Sequence, residues 1–390
     1  MPADRSSFTT RHNLAAGPVS IHERVRMAYA RPLLYHYDPD FLALFRETED
    51  LLRQVYQTHG DVVIMQGEAV LGLEAASVCA VHPGDKCLNL VSGVFGAGYA
   101  RYFRRYSGRE PLTVEVPYNE AIDPAQVEAV LRQEGDVRAI AVVHSETPSG
   151  TLNPIAEIAA LAQDHGAITI VDAVSSLGGM PLAVDAWGVD ICIAGPHKCI
   201  GAAPGSALMA IGARAWERIQ THPDPLRGSY LSLLDWKERW MAQGRFPFTV
   251  FVAQIYGLHE ALLMIVEQGL ESRLELHSRA ARMCRAGVRA LGLELWPARE
   301  SIASTCVTAV KTPPGIEIQA LIEHMWRKDG VAIAGSIREL EGKLFRIGHM
   351  GYMARPEPVL IALAALERAL AAQGFEFEPG VALAAAQAAD

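Results

Sequence analysis

At 390 residues, half of them apolar and a fifth charged, the chain can bury one large hydrophobic core and a smaller one, which excludes a fibrous or disordered protein. Its formal net charge of −9, without a dense Lys/Arg block, excludes an electrostatic nucleic-acid footprint and points to small-molecule ligands. No apolar run reaches the roughly 18 residues that a membrane-spanning helix needs, so no membrane partner is expected.

The opening Met1-Pro2-Ala3-Asp4-Arg5-Ser6-Ser7 carries no apolar stretch of the signal-peptide kind. The six cysteines, Cys79, Cys87, Cys192, Cys199, Cys284 and Cys306, show no C-x-x-C spacing and lie mostly in apolar runs. Both features predict a cytoplasmic protein with buried, reduced thiols. Between Val62 and Gly212, β-branched runs predict strands at Val62–Met65, Cys87–Val91, Leu112–Val116, Ala139–Val143, Ile168–Val171, Ile191–Ala194 and Ala207–Ile211. Helical spacing in Glu68–Val81, Asp123–Gln133 and Pro154–His165 alternates with them, the pattern of an α/β fold with a mostly parallel central sheet flanked by helices. Beyond Pro247 a helix is predicted from Val250 to Gln268. Strands at Ile302–Lys311, Val331–Ala334 and Leu344–Gly348, with helices at Ile316–Lys328 and Pro356–Ala372, then predict a smaller C-terminal α+β domain. The expected division is an N-terminal segment over 1–20, a large ligand-binding domain over 21–255 and a small domain over 256–390. The Ala-rich tail after Gly374 gives no pattern to read.

Two strand ends carry the chemistry. Ile170-Val171-Asp172 closes an apolar strand on a carboxylate, and Ile191-Cys192-Ile193-Ala194 leads through Gly195-Pro196-His197 to Lys198. A lysine condenses with an aldehyde, and a buried aspartate keeps a pyridine nitrogen protonated, which together turn an aromatic aldehyde into an electron sink. On open α/β sheets such groups converge beyond the carboxyl ends of the strands, where Glu68 and Thr147 also project. Read bluntly, Asp172 is a helix cap and Lys198 a surface lysine, but the apolar approach to both argues for the site.

With these residues, Ala16-Gly17-Pro18-Val19, Ser92-Gly93-Val94-Phe95-Gly96, the run from His144 to Pro154, Val171 to Gly179, and Lys343 to Gly348 resemble the class V aminotransferases of fold type I. The matches stand in order and span about Ala16 to Gly351. The stretches Val116 to Pro124, Ser301 to Ser304 and Arg346 to Gly351 are similar to a branch of that family acting on free vitamin B6. The resemblance implies transamination between pyridoxamine and pyruvate, giving pyridoxal and L-alanine, with the unphosphorylated vitamin as substrate and no tightly bound cofactor. The alternative it leaves open is an alanine/serine-glyoxylate type enzyme dependent on pyridoxal phosphate (PLP).

Site roles follow from the resemblance residue by residue. Lys198 is implied as the catalytic amine and Asp172 as the partner of the ring nitrogen. Val174 would pack under the ring, and Phe95 would stack on it where the resemblance leads to tyrosine. Thr147 is placed near the ring's 3-oxygen, although Thr-Pro-Ser-Gly also reads as an ordinary turn. His197 stands where a phosphate-holding residue is usual, with its role open. Arg346, assisted by Arg338, is implied for the keto-acid carboxylate through its bidentate fork, although the loop carrying Arg338 is one residue short. Thr249 would reach a neighbouring subunit's site, implying a homodimer or homotetramer. Tyr35 is either an entrance residue or a plain turn tyrosine.

Glu68 decides between the two readings. It stands where family members place small residues so that a helix N-terminus cradles a phosphate. At about 4 Å and an effective dielectric near 20, two unit charges repel by ~4 kcal/mol, which disfavours the phosphorylated ligand. The competing interpretation is a solvated first-turn carboxylate that complements the helix dipole. No second metal-binding histidine follows His259-Glu260, and neither G-x-S-x-G nor a Walker loop occurs, so no metal site is expected.

Overall fold

The computed structural model describes residues 12–390; the opening heptapeptide and the first part of the expected N-terminal segment lie outside the described residues. All seven strands anticipated between 62 and 212 form: β1 (Asp61–Gln66), β2 (Lys86–Val91), β3 (Leu112–Glu115), β4 (Val137–Val143), β5 (Ile168–Asp172), β6 (Ile191–Ala194) and β7 (Ser206–Ile211). They join in one sheet of order β1-β7-β6-β5-β4-β2-β3. Every pairing from β6 to β3 is parallel, while β7 runs antiparallel to both of its neighbours. Strands β5, β6 and β7 are buried along their whole length. Burial on both faces is why their sequences read as unbroken apolar runs.

The helices between these strands start and stop where local chemistry dictates. In α1 (Pro39–Tyr56), Asp38 accepts from the Asp40 N–H ahead of Pro39 at the first helical position. α2 (Ala69–Ala80) is capped by Glu68, and α3 (Val94–Ser107) begins at Gly93, which offers no side chain for a cap. In α4 (Pro124–Glu134), Asp123 caps the start and Gly135 turns into the left-handed region at φ 68°. α5 (Ile155–Asp164) and, after the sheet, α6 (Val252–Gln268) complete the cover over the large core.

A second core gathers α7 (Leu270–Ala290), α8 (Ile318–Asp329), α9 (Pro356–Ala371) and an antiparallel sheet. That sheet joins β8 (Val307–Lys311), β9 (Ala334–Gly335) and β10 (Leu344–Gly348) in the order β8-β10-β9. Near the chain's start, His12–Asn13 pairs in parallel with Val331–Ala332, and Leu14 is buried in this second core.

Two segments depart from expectation. The strand expected over 302–311 begins only at Val307: Ala303 bridges instead to Thr151, with the Ser304 N–H donating to the Gly150 carbonyl, and the Ala303 and Ser304 carbonyls accept from the buried Arg285 guanidinium. The Ala-rich tail forms a helix, Val381–Ala388, with Ala382 and Ala386 buried. Small residues allow this: a Cβ at Gly287 of α7 would lie 2.9 Å from the Ala382 carbonyl oxygen.

Candidate active site

Asp172 and Lys198 meet because β5 and β6 are adjacent and parallel, with Asp172 in register with Ile193. Asp172 is 8% exposed, and its Oδ1 accepts from the Val174 N–H at 3.0 Å. Its Oδ2 has no hydrogen-bond partner among the described residues and is left for a ligand. After β6 the chain enters the wide turn Pro196–Ile200, whose helical dihedrals break at Lys198 (φ −117°, ψ −122°). The Lys198 amine donates to the Ala16 carbonyl. Gly17 is required beside it: φ is +98°, and a Cβ there would stand 2.5 Å from Lys198 Nζ.

Around this pair lies a cavity of about 140 Å³, lined by Glu68, Phe95, Asp172, Val174, His197 and Lys198. Six of the expected site residues thus converge, in a space suited to a single ring rather than the ~300–1,000 Å³ of larger ligand sites. Thr147, Thr249, Arg346 and Arg338 do not line it. The Thr147 hydroxyl bonds the Ser175 hydroxyl, and Ser175 and Ser145 line the wall instead. Arg346 is buried behind them, donating through Nε and Nη2 to the Gly335 carbonyl and through Nη1 to that of Thr147. Arg338 is exposed at φ 52°, and Thr249 is exposed with its carbonyl accepting from Gln66. Tyr35 is 65% exposed.

The electrostatics suit a carbonyl-capturing amine. Burial, with the Arg346 charge nearby, lowers the Lys198 pKa from 10.5 to about 8. Burial raises Asp172 to about 6 despite the Val174 bond, with Glu68 adding to the rise and Lys198 opposing it. Glu68 realises both readings at once. It is the N-cap of α2, accepting from the Val70 N–H at 3.0 Å, and it lines the cavity with its side chain 49% exposed. His197 Nε2 lies 3.7 Å from Glu68 Oε1, while His197 Nδ1 is buried without a partner. Burial first, then Lys198, lowers the His197 pKa.

Sequence reasoning missed Ser145, Ser175 and Glu146, which sits fully buried behind Phe95. All three lie within the runs quoted above, yet nothing in those runs marks which side chain faces the ring. A larger groove of about 880 Å³ is lined by Val116, Ile122, His144, Asn153, Trp187 and Ile302, among others, but by no lysine. His144 faces it while Val143 and Ser145 face the lysine cavity, so the two hollows lie on opposite sides of one strand end. Among the described residues, no group of three or more His, Cys, Asp or Glu side chains is arranged to hold a metal ion.

The family model for aminotransferase class V matches residues 26–335. The chain belongs to the class V aminotransferases. It is 43% identical over 375 residues to the pyridoxamine–pyruvate transaminase of Mesorhizobium japonicum, covering 96% of this chain and 95% of that one. The crystal structure of pyridoxamine-pyruvate aminotransferase from Mesorhizobium loti superposes with a TM-score of 0.94 at 42% identity, covering 97% and 96% of the two chains. A ureidoglycine-glyoxylate aminotransferase structure from Bacillus subtilis follows at TM-score 0.93 and 30% identity, covering 97% of each. The α/β fold type I architecture is therefore that of an aminotransferase.

Membership corrects one expectation. Class V aminotransferases are PLP-dependent, so PLP is a bound cofactor, and the absence of a tightly bound group inferred from Glu68 does not stand. That inference weighed only the repulsion by the carboxylate, taken at contact distance. At 49% exposure it is screened by solvent, and His197 faces it. The residues fit the cofactor: Lys198 for the aldehyde, the open Asp172 oxygen for the ring nitrogen, Phe95 and Val174 for the ring faces. The start of α2, at Glu68 and Ala69, and His197 line the same cavity.

Proposed function

We propose that this class V aminotransferase transfers the amino group of pyridoxamine to pyruvate, giving pyridoxal and L-alanine, in vitamin B6 degradation. The observation that carries the reading is Glu68, whose carboxylate lines the ring cavity at the helix start with Lys198 also on its wall. There it accepts a hydrogen bond from the hydroxymethyl group of an unphosphorylated substrate. The likeness to the Mesorhizobium enzymes supports the same substrate.

A vitamin B6 ring in this pocket supplies the electron sink for the reaction. The chain's residues supply position and protons. Lys198, with its pKa lowered to about 8, has a larger free-amine fraction near neutral pH than an ordinary lysine and moves the proton between the ligand's exocyclic carbon and the amino-acid α-carbon. Asp172 holds the proton at the ring nitrogen. Arg346 offers the N–H groups left over from Gly335 and Thr147 to the pyruvate carboxylate, with Arg338 at most an outer assistant.

Assembly as a homodimer or homotetramer belongs to this proposal, with Thr249 entering the partner's site. So does a cytoplasmic location, supported by six buried, unbridged cysteines. Among the described residues no helix is long and apolar enough to cross a membrane. We place the boundary between large and small domains near Gly269 rather than at 255/256, because Leu258, Leu262 and Ile265 of α6 pack in the large core.

The test incubates the purified holoenzyme with pyridoxamine and a panel of keto acids, following pyridoxal absorbance and alanine. Pyruvate-dependent pyridoxal formation, lost in Lys198→Ala, is the expected result. The similarity to the glyoxylate aminotransferase favours a second reading, PLP-dependent transfer from alanine or serine to glyoxylate. Turnover of alanine with glyoxylate on retained PLP, with none from pyridoxamine, would establish that reading in place of ours.

A further inference from the structure

We propose that Glu146 is a positioning residue that holds the ring-stacking Phe95 and the carboxylate-binding Arg346 in one frame; this rests on the transaminase reading above. Glu146 is 0% exposed, in the turn after β4 where Ser145–Glu146 pairs with Thr151–Leu152. Its Oε1 accepts from the Gly96 N–H at 2.6 Å and its Oε2 from the Phe95 N–H at 3.2 Å. Helix α3, which Gly93 cannot cap, thus takes its cap from a carboxylate fifty residues further along. An anion there also meets the positive end of the helix.

The glycines of Ser92-Gly93-Val94-Phe95-Gly96 make room for that side chain. A Cβ at Gly93 would stand 2.5 Å from Glu146 Cδ, and one at Gly96 would stand 3.2 Å from Oε1. On the other side, the backbone following Glu146 fixes the substrate end. The Thr147 carbonyl accepts from Arg346 Nη1 at 3.2 Å, and the Pro148 carbonyl accepts from the Ser336 hydroxyl at 2.8 Å. One short segment therefore ties the stacking ring to the guanidinium behind the cavity wall. Burial pushes the Glu146 carboxyl up to about 7 against its two N–H bonds, a cost that a neutral filler would not carry.

Glu146→Gln keeps the shape but presents an amide donor to one of the two N–H groups. The measurements are pyridoxal affinity by absorbance without keto acid, amide exchange at Phe95 and Gly96 in ligand-free protein, and the KM and kcat for pyridoxamine. We expect faster exchange at both amides, affinity weakened about tenfold, and a KM change that exceeds the kcat change. In a Phe95→Ala background the same substitution should change affinity by less than about twofold, because the two residues act through one contact. Faster exchange with unchanged affinity, or effects that simply multiply in the double variant, would overturn the proposal. Should Glu146→Gln not fold, Glu146→Asp retains the charge at shorter reach and is expected to give an intermediate loss; an unchanged affinity there counts equally against it. Pyridoxal binding is read separately from pyruvate turnover, so failure of the transaminase reading leaves this test intact.

Discussion

Lys198 carries its amine into a space where burial works against its charge, and that sets its reactivity. With a pKa near 8, about a tenth of the amine is free at pH 7 and about nine-tenths at pH 9. Capture of pyridoxal by the ligand-free enzyme should rise accordingly, with its half-maximum near pH 8 in stopped-flow absorbance; a half-maximum near 10.5 would show an ordinary solvated lysine. Between about 8 and 10.5 the unfolded chain keeps a proton that the folded chain has lost, so this group makes stability rise with pH in that window. Asp172 behaves oppositely. From 3.8 to about 6 the folded state holds the extra proton, and its contribution to stability falls as pH rises. Asp172→Asn should cost about a hundredfold or more in kcat while leaving the unfolding midpoint at pH 7 equal or higher, since no buried charge is then desolvated. A lowered midpoint together with unchanged kcat would make Asp172 a structural cap.

At the scale of the element, α2 carries the specificity under our proposal. Replacing its N-cap by glycine costs the helix only a few tenths of a kcal/mol, whereas the carboxylate beside a phosphate costs at most ~4 kcal/mol at an effective dielectric near 20 and less at this half-exposed position. Glu68→Gly should therefore tighten PLP binding at least about tenfold and weaken the discrimination in favour of pyridoxal, with little change in melting temperature. Equilibrium titration with both ligands checks this, and unchanged PLP affinity would leave Glu68 a plain helix cap. The sheet strands were legible because burial on both faces writes an apolar run. α7 was not, because its buried side is built largely from small or polar residues such as His277, Ala280, Ala281 and Gly287 instead of large apolar ones. Phe95 was legible as a residue of the cavity wall, but its support was not, because the carboxylate that caps α3 arrives from the turn after β4.

Across the whole molecule, apolar side chains stand exposed near the cavity mouth. Phe95 and Val70 are 44% and 45% exposed, and Phe251, two residues beyond Thr249, is 56% exposed. The link to the site is direct, since Gln66 donates to the Thr249 carbonyl just ahead of Glu68. A second copy covering this rim completes the pocket under our proposal. Phe251→Asp should then shift the assembly toward single chains in sedimentation velocity and weaken ligand binding by about tenfold or more. A wild-type enzyme that sediments as a monomer with full activity would refute that arrangement.

By itself the sequence determined the strand and helix alternation, the lysine and aspartate at adjacent strand ends, and the family, because apolar periodicity and short motifs are local properties of a chain. Only the tertiary structure decided that Ser145 and Ser175 line the wall where Thr147 was expected, that Arg346 stands behind it, and that Glu146 braces Phe95. Those relations join residues far apart in the chain, and only strand order and packing bring them within hydrogen-bonding distance.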